Sequence, residues 1–432
     1  MSFSFRRDPA LQCGKNAMKA KIKNLLNHPL FSGSFIMIVG SNLANFITYI
    51  YHLIIGRLLE PEKYGDLAAT ISVLGLFTVS FAFFSLVIVK FISAAEKSNV
   101  EKIFSWFYKK AIILAFFLGI IVFIFSPLIS KFIQVDYKIV VLIAPILVIS
   151  VLTLVFRSVL QGLLRFKESV VSVNSEMFFR LILGVIFVKI GLSVFGAFLG
   201  ILVAILISML LTRFFLREFK IWSKDDKSVD AKGVFSYAAP ILITSLATNS
   251  FFSTDVVLVK HFFESYQAGI YASLSTLGKI IFYGAGPVGS VMFPMISQRH
   301  SRGQNFQKIF LLSMLLTLGI SGGVLVVYLF FPELAIKILY GNKYISAAPD
   351  LVWFGLFMTI FTIASLILNY FLSKRETKMV GVVLLSALIQ AVGIWFFHDS
   401  ILTVIKVSIA ASSLFLITML IYLRYEGKIK TV

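Results

Sequence analysis

Long apolar segments separated by short polar connections run through the whole chain. They lie near 33–56, 67–89, 111–127, 139–160, 169–188, 194–212, 236–257, 269–297, 309–331, 350–372, 379–396 and 401–423. Their lengths cluster around the ~20 residues that a helix needs to cross a bilayer. They lack the ~10-residue alternation of membrane strands, and a helix satisfies its own backbone in hydrocarbon. The pattern predicts an all-α membrane protein with about twelve transmembrane helices.

The two halves of the chain share a short repeat. The segments LLEPEKYGDLAAT at 58–70 and FFESYQAGIYASL at 262–274 align at a shift of 204 residues. The shift pairs Glu60 with Glu264, Gly65 with Gly269, Ala68 with Ala272, and Asn45 with Asn249. Six spans per half make the halves parallel repeats, and transporters of that kind place substrate between them. The repeat predicts two pseudo-symmetric six-helix lobes around a central cavity.

Basic residues alternate from one connection to the next. The chain has 40 Lys+Arg against 20 Asp+Glu, but 59% of its residues are hydrophobic and its mean hydropathy is +0.94. The bilayer is therefore the first partner to expect, and nucleic acid is not expected. One set of alternate connections, with the termini, carries 28 Lys+Arg and the other set carries 8. The positive-inside rule then predicts that both termini are cytoplasmic.

This reading divides the chain into five parts. They are a basic cytoplasmic N-terminal segment at 1–32, an N-lobe at 33–212, a cytoplasmic linker at 213–235, a C-lobe at 236–423 and a cytoplasmic tail at 424–432. The apolar run after the basic N-terminal segment is too long for a cleavable signal and lacks a small-residue cleavage site. Cys13 is the only cysteine, so no disulfide framework is expected.

Excluding the first and last residue of each apolar span, six charged residues lie inside the spans. They are Arg157, Arg180, Lys279 and Lys406 on the basic side, and Glu176 and Asp255 on the acidic side. A charge at membrane depth costs at least ~2.5–3.5 kcal/mol on insertion scales, so such residues usually face a cavity or a partner. The balance is cationic, which favours an anion, and a guanidinium suits phosphate oxygens.

Each of these charges also has a simpler interpretation. Arg180 could pair with Glu176 one turn earlier, and Lys279 could pair with Asp255 on the neighbouring span. Asp255 could alternatively serve in ion coupling. Arg157 could extend its charged end to the membrane surface, as could Lys90 and Lys406.

Two spans in equivalent positions of the two halves carry polar stripes. The stripe on the first span is Asn42, Asn45, Tyr49 and His52, and the seventh span has Ser245, Thr248, Asn249, Thr254 and Asp255. Spacings of three and four residues put the first stripe on one helix face. Facing stripes would line an aqueous cavity, although hydrogen bonding between neighbouring helices uses the same residue types.

The eighth span contains the segment YGAGPVGSVMFP. Its Gly284, Gly286, Pro287 and Gly289 weaken a helix and suggest a hinge for alternating access. A static packing kink is the alternative, since membrane helices tolerate Gly and Pro.

Enzyme motifs are missing from the sequence. It contains no GxxxxGK[ST] motif, its five histidines are scattered without metal-ligand spacing, and the longest outward connection, about 332–349, is too short for an active site. We therefore expect neither catalysis nor a metal or other cofactor.

Three segments resemble Wzx-type polysaccharide (O-antigen) flippases of the multidrug/oligosaccharidyl-lipid/polysaccharide exporter superfamily. They lie at 40–75, 161–168 and 254–279, and the E-x-x-x-x-G signature occurs in both halves. The resemblance implies a two-lobed bundle of twelve helices with a central cavity. It also implies movement of undecaprenyl-pyrophosphate-linked oligosaccharide between the leaflets of a bacterial inner membrane, with a polysaccharide polymerase or chain-length machinery as possible partners.

On this hypothesis Arg180, Lys279 and Arg157 hold the pyrophosphate. The sugar hydroxyls would form hydrogen bonds with Asn42, Asn45, Tyr49 and Asn249. A multidrug or small-molecule exporter of the same superfamily is one alternative, although the first span lacks the carboxylates that a cationic drug would require. A membrane-embedded glycan polymerase or ligase is another, and it would need a large outward loop.

Overall fold

The computed structural model describes residues 29–222 and 242–429, which are almost entirely helical and contain no strand. The helices of the first half are α1 (Pro29–Leu58), α2 (Pro61–Val79), α3 (Ala82–Ser93), α4 (Lys97–Ile133), α5 (Tyr137–Val140), α6 (Ile143–Gly162), α7 (Phe166–Phe187) and α8 (Ser193–Phe215). Those of the second half are α9 (Leu242–Phe262, with a turn at 251–253), α10 (Ser265–Ser301), α11 (Gln307–Phe330), α12 (Pro332–Leu339), α13 (Ala348–Ser373), α14 (Val380–Phe396) and α15 (Ile401–Ile429). Short 3₁₀ turns at Asn342–Ala347 and Thr377–Met379 precede α13 and α14.

Twelve helical segments can cross a membrane. Within the described ranges, 11 helices are long and apolar enough, and one of them, Phe166–Phe215, has 50 residues. That one is a hairpin, because the backbone reverses at Gly191 (φ 94°) and Ser193 (φ 50°). An ideal Cβ on Gly200 would lie 2.7 Å from the nitrogen of Gly184, so α7 and α8 pack closely side by side. The all-α architecture with about twelve spans is confirmed.

The helices extend beyond the predicted spans. The span predicted at 111–127 belongs to α4, whose 37 residues are about 55 Å long at 1.5 Å per residue. Most of the basic connection at 89–110 is therefore helical. Of the predicted organisation, residues 1–28 of the N-terminal segment, 223–235 of the linker, 236–241 of the C-lobe and 430–432 of the tail lie outside the described residues.

Helices α1–α8 and α9–α15 form two lobes. In the first lobe α7 packs on α1 and α8, and α6 packs on α3, α4 and α8. In the second lobe α10 packs on α11 and α13, and α13 packs on α15. Most of the contact between the lobes involves α2 packing on α10 and α9. The position of α2 relative to α10 therefore determines how the lobes meet.

The repeat motif forms the closest contact between the lobes. Glu60 and Glu264 occupy the positions just before the first residues of α2 and α10, and Gly65 and Gly269 follow five residues later. An ideal Cβ on Gly269 would lie 1.8 Å from the carbonyl oxygen of Pro61, and one on Gly65 would lie 2.9 Å from the nitrogen of Gly269. Glycine is required at these positions because the two backbones touch.

Polar contacts surround this backbone contact. Lys260 Nζ lies 2.8 Å from Asp66 Oδ1, and both side chains are buried. The other polar contacts join Tyr64 to Thr276 and Tyr340, Lys343 to Glu60, Tyr344 to the Gly56 carbonyl, Arg57 to the Leu339 and Ile338 carbonyls, and Gln134 to the His261 carbonyl. All these contacts lie near the connections 57–66, 128–138, 258–268 and 332–349. We call this side of the bundle the closed end.

The lobes separate towards the opposite side, which carries most of the Lys and Arg and is called the basic end. Along α10, every residue from Ala268 to Gly278 is buried. Beyond Tyr283 the same helix exposes Val291, Phe293 and Met295. The space between the lobes is therefore sealed at the closed end and widens towards the basic end.

Substituting Gly269→Ala should open the closed end. The added methyl group would collide with the Pro61 backbone, which has no side-chain freedom to yield. We expect a cysteine at position 275, in a Cys13→Ser background, to react about tenfold faster with an impermeant maleimide added from the closed side, equivalent to ~1.4 kcal/mol of population shift.

Gly319→Ala is the matched control for this substitution, because a Cβ there meets nothing within 4 Å. Its labelling rate should equal that of the parent chain. An unchanged labelling rate in Gly269→Ala would contradict the assignment of this contact as the seal.

Candidate functional site: a central basic cavity

A cavity of about 200 Å³ lies between the lobes, bounded by α1, α2, α7, α9 and α10. Five of the residues predicted from the sequence line it. They are Arg180, Lys279, Asn45, Tyr49 and Asn249. The structure therefore brings two of the four intramembrane cations, three members of the first polar stripe (Asn45, Tyr49 and His52) and Asn249 of the second stripe to one space.

The central cavity has two basic groups and no carboxylate among its lining residues. The Arg180 guanidinium carbon lies 4.6 Å from the centre of the Tyr51 ring, and Lys279 Nζ lies 5.5 Å from the centre of the Phe252 ring. Such contacts stabilise a cation by about 0.5–2 kcal/mol, which only partly offsets the cost of placing it in a membrane. The arrangement favours an anionic ligand.

The Arg180–Glu176 pairing that the sequence allowed is not present. Glu176 Oε2 lies 2.6 Å from a terminal nitrogen of Arg157 instead, and Arg157 also donates to the hydroxyls of Ser172 and Ser208. Arg157 therefore does not extend to the membrane surface, contrary to that interpretation. Its charge is fixed inside the N-lobe by a carboxylate and two serines.

Lys279 and Asp255 do not form an ion pair either. The Asp255 carboxylate is fully buried and accepts hydrogen bonds from the Tyr271 hydroxyl and the Val256 backbone N–H, each at 2.8 Å. Across the described ranges, no basic nitrogen lies within 4 Å of it. Asp255 is also absent from the cavity lining, so it lies behind the cavity wall.

Several buried polar atoms around the central cavity have no hydrogen-bond partner within the described part of the protein. They are Tyr49 Oη, Asn249 Nδ2, Ser275 Oγ and Arg180 Nε. Roughly 90% or more of buried polar groups in proteins are paired, so four orphans around one space call for an explanation. A polar ligand or water in the cavity would satisfy them.

A second cavity of about 430 Å³ lies inside the N-lobe. Its lining includes Arg157, Glu176 and Gln161, together with Arg180, which also lines the central cavity. Arg180 thus stands at the boundary between the two cavities. We call this space the N-lobe cavity.

The remaining predicted residues lie elsewhere. Asn42 is on α1 but not in the lining of the central cavity, and its side-chain amide donates to the Ile38 carbonyl at 2.7 Å. Lys406 is exposed on α15. No group of three or more His, Cys, Asp or Glu side chains able to hold a metal ion occurs in the described residues.

The predicted hinge residues lie within a continuous α10. A Cβ on Gly286 would meet nothing within 4 Å, and those on Gly284 and Gly289 would make only ordinary contacts at 3.8 and 3.6 Å. By contrast, a Cβ on Gly278 would lie 2.4 Å from the Phe354 ring. Close packing therefore explains glycine at 278 but not at the three positions around Pro287.

The ion pair between Asp66 and Lys260 was not expected from the sequence. Lys260 counted only as a charge in a connection, and Asp66 only as the neighbour of the motif glycine. Their burial at 8% and 1% exposure makes them the most enclosed inter-lobe charges described. The apolar run TDVVLVKHF around Lys260 was the available signal, since a lysine there needs a partner.

Several solved transporters share this fold. An inward-facing multidrug resistance MATE family transporter of the MOP superfamily aligns over 89% of this chain and 94% of its own, with a TM-score of 0.72 and 16% identity. The lipid II flippase MurJ, in an inward closed conformation, aligns over 90% and 87%, with a TM-score of 0.72 and 16% identity. A MOP superfamily transporter from Pyrococcus furiosus, whose binding pocket is described as having reverse polarity, aligns over 93% and 96%, with a TM-score of 0.66 and 15% identity.

Sequence comparisons identify the family. The uncharacterized membrane protein MJ1375 of Methanocaldococcus jannaschii is 24% identical over 356 residues, which cover 78% of this chain and 81% of that protein. The profile of the family described as "Polysaccharide biosynthesis protein" matches residues 30–300, well over half of the chain. This match over more than half of the chain shows that the chain belongs to the polysaccharide biosynthesis protein family.

Proposed function

We propose that this transporter is a Wzx-type flippase that moves an undecaprenyl-pyrophosphate-linked oligosaccharide from one leaflet to the other. The cargo is a repeat unit of O-antigen or another surface polysaccharide. The observation that carries the proposal is the central cavity, where Arg180 and Lys279 meet no carboxylate and four buried polar atoms lack a partner. Two fixed cations suit a diphosphate, and the hydrogen-bonding groups suit the adjoining sugar.

The direction of movement follows from the charge of the two ends. The positive-inside rule predicts that the basic end faces the cytoplasm, and the cavity widens towards that end. Cargo would enter there and leave after the closed end opens to the periplasm. An inside-negative membrane potential favours outward movement of an anion by ~2.3 kcal/mol per charge per 100 mV.

The same lining argues against export of cationic drugs. A cationic substrate would meet two fixed positive charges in the central cavity without a carboxylate to compensate them. Glu176 is already paired with Arg157 in the N-lobe, and Asp255 lies outside the lining. Export of cationic drugs would require a central cavity lined by carboxylates, whereas this cavity is lined by two basic side chains.

Removing either cation should block transport of the lipid-linked unit. Loss of one charge-assisted contact, ~1.5–3 kcal/mol, corresponds to a decrease of about 10- to 100-fold in affinity for undecaprenyl diphosphate. Arg180→Ala and Lys279→Ala cells should accumulate the unit on the cytoplasmic leaflet and lose surface polysaccharide. Purified protein titrated with undecaprenyl diphosphate gives the affinity directly.

Lys406→Ala is the matched control, because Lys406 is also an intramembrane cation but is exposed on α15. It should retain normal surface polysaccharide and normal affinity. Wild-type behaviour of both Arg180→Ala and Lys279→Ala would refute the proposed site.

We further propose Asp255 as the coupling carboxylate. Lys279 interacts with this buried carboxylate only from beyond salt-bridge distance, so its negative charge is incompletely compensated and uptake of a proton or a sodium ion would neutralise it. The nearby Gln390 provides a second clue, since its Oε1 is buried and without a partner while its Nε2 donates to the Phe251 carbonyl beside the turn in α9. Neutralisation of the Asp255 carboxylate, next to this turn, would change how α9 packs on α2.

Asp255→Asn should uncouple transport from the ion gradient, because the amide keeps the shape of the carboxylate but cannot be ionised. In vesicles, parent-chain flipping should change when the proton gradient or the sodium gradient is dissipated separately, and the Asp255→Asn rate should respond to neither. Asp399→Asn, at an exposed carboxylate in a connection, should behave like the parent. A parent chain indifferent to both gradients would exclude this role.

We also propose that α10 bends at Gly284, Gly286, Pro287 and Gly289. Pro287 has no N–H to bond the Tyr283 carbonyl, and the glycines have space around them. Gly286→Ala should therefore keep or raise thermal stability, by up to about 1 kcal/mol, because it stiffens the helix without a collision. Flipping should slow at the same time.

Gly278→Ala provides the contrast for the hinge, since its Cβ would collide with Phe354 and should lower stability. Thermal unfolding and flipping rates of both variants distinguish a moving hinge in α10 from a static packing kink. Destabilisation of Gly286→Ala to the level of Gly278→Ala would indicate a static packing kink.

A further inference from the structure

We infer that the N-lobe cavity is the recognition site for the sugar attached directly to the diphosphate. This inference rests on the proposed function and adds a second ligand site to it. The cargo would then be held at two places, with its diphosphate between the lobes and its first sugar inside the N-lobe. The chemical class of that ligand is a neutral hexose or N-acetylhexosamine.

The two cavities are adjacent. Both are lined by Arg180, Ile71 and Gly75, so a group bound at the Arg180 guanidinium lies next to both spaces. The N-lobe cavity has about 430 Å³, within the roughly 300–1,000 Å³ range of small-molecule sites. A sugar bonded directly to a phosphate that binds Arg180 would therefore lie close to the N-lobe cavity.

Charge decides which part of the cargo lies in which cavity. Arg157 is neutralised by Glu176 at 2.6 Å, so the N-lobe cavity has no net charge apart from the shared Arg180. The central cavity keeps two basic groups without a carboxylate. A diphosphate is therefore attracted to the central cavity, and an uncharged polar group suits the N-lobe cavity.

The lining of the N-lobe cavity suits hydroxyl groups. A sugar hydroxyl both donates and accepts, and this wall offers the Glu176 carboxylate, the Gln161 amide and the hydroxyls of Ser150 and Thr78. Serines 172 and 208 hold Arg157 in place, so the pair with Glu176 is fixed before any ligand arrives. A ligand that lacks one of these hydroxyls would leave a buried polar group of the wall without a hydrogen-bond partner. A pre-organised polar wall of this kind therefore selects among sugars.

The second lobe shows that this space could have been filled. At the shift of 204 residues, Phe354 and Phe361 of α13 correspond to Ser150 and Arg157 of α6, and these two helices are the fourth membrane helices of their lobes. Phe361 packs on the rings of Phe251 and Phe415, with centres 4.7 and 6.3 Å away. The second lobe thus has packed rings at two positions where the first lobe has polar side chains, and its own interior has a small cavity of about 60 Å³, lined in part by Thr317, Thr362, Ser365 and Asn369.

The test measures binding of three probes to the purified full chain in lipid nanodiscs. The probes are bare undecaprenyl diphosphate, undecaprenyl diphosphate carrying one galactose, and undecaprenyl diphosphate carrying one N-acetylglucosamine. At least one glycosylated probe should bind the parent chain about tenfold more tightly than the bare lipid, as expected for one or two added hydrogen bonds.

Two variants remove this gain if the pocket is the sugar site. Glu176→Gln removes the carboxylate but leaves Arg157 unpaired, so it carries a folding risk. Ser150→Val replaces a hydroxyl that bonds only its own helix, at the Ile146 carbonyl, and leaves the ion pair intact. Ser150→Val should bind bare undecaprenyl diphosphate like the parent and lose most of the preference for the glycosylated probe. Glu176→Gln should also lose the preference, but it should bind the bare lipid at least as tightly as the parent, because the charge of Arg157 is no longer neutralised.

The outcomes separate this inference from the proposed function. Equal affinity of the parent chain for all three probes, or a preference that survives in a folded Ser150→Val variant, would overturn the sugar pocket and leave the diphosphate site standing. Failure of the parent chain to bind any of the three would refute the proposed function, and this inference with it.

Discussion

The backbone contact between α2 and α10 at Gly65 and Gly269 is the constraint on which the rest of the structure depends. The lobes meet there and diverge towards the basic end, so the central cavity exists because the contact is confined to one side. The buried pair of Asp66 and Lys260 reinforces it. Removing one member of such a pair typically costs about 3–5 kcal/mol, so the seal has to separate as a unit and not one side chain at a time.

Charge inside the bundle follows from that geometry. Arg180 and Lys279 come from different lobes, and closure of the α2–α10 contact places them around one space. Two like charges in a low-dielectric cavity repel each other and are costly to desolvate, with aromatic rings as partial compensation. An anion that binds between them relieves both costs. Such a ligand would favour the arrangement in which both cations reach it, which couples occupancy to the relative position of the lobes.

The two lobes have diverged into different interiors on the same frame. The first encloses polar side chains around the Arg157–Glu176 pair, whereas the second has a core of phenylalanine rings and a proline-containing α10. A polar interior recognises a ligand, and a helix with loose glycines moves against a firmly packed core. This division fits a transporter in which one lobe holds the headgroup while the other changes shape.

The sequence alone determined the features that depend on the free-energy cost of placing each segment in the membrane. Hydrocarbon penalises charge and open backbone along every span, so the number of spans, the repeat and the few tolerated charges could all be read from the residue order. Tertiary structure decided which of those charges meet. Glu176 is four residues from Arg180 but pairs with Arg157, and Asp66 pairs with Lys260 from the other half of the chain. Helix rotation and the packing of distant helices set these pairings, because a separation along the chain fixes neither the face that a helix presents nor the neighbour that it meets.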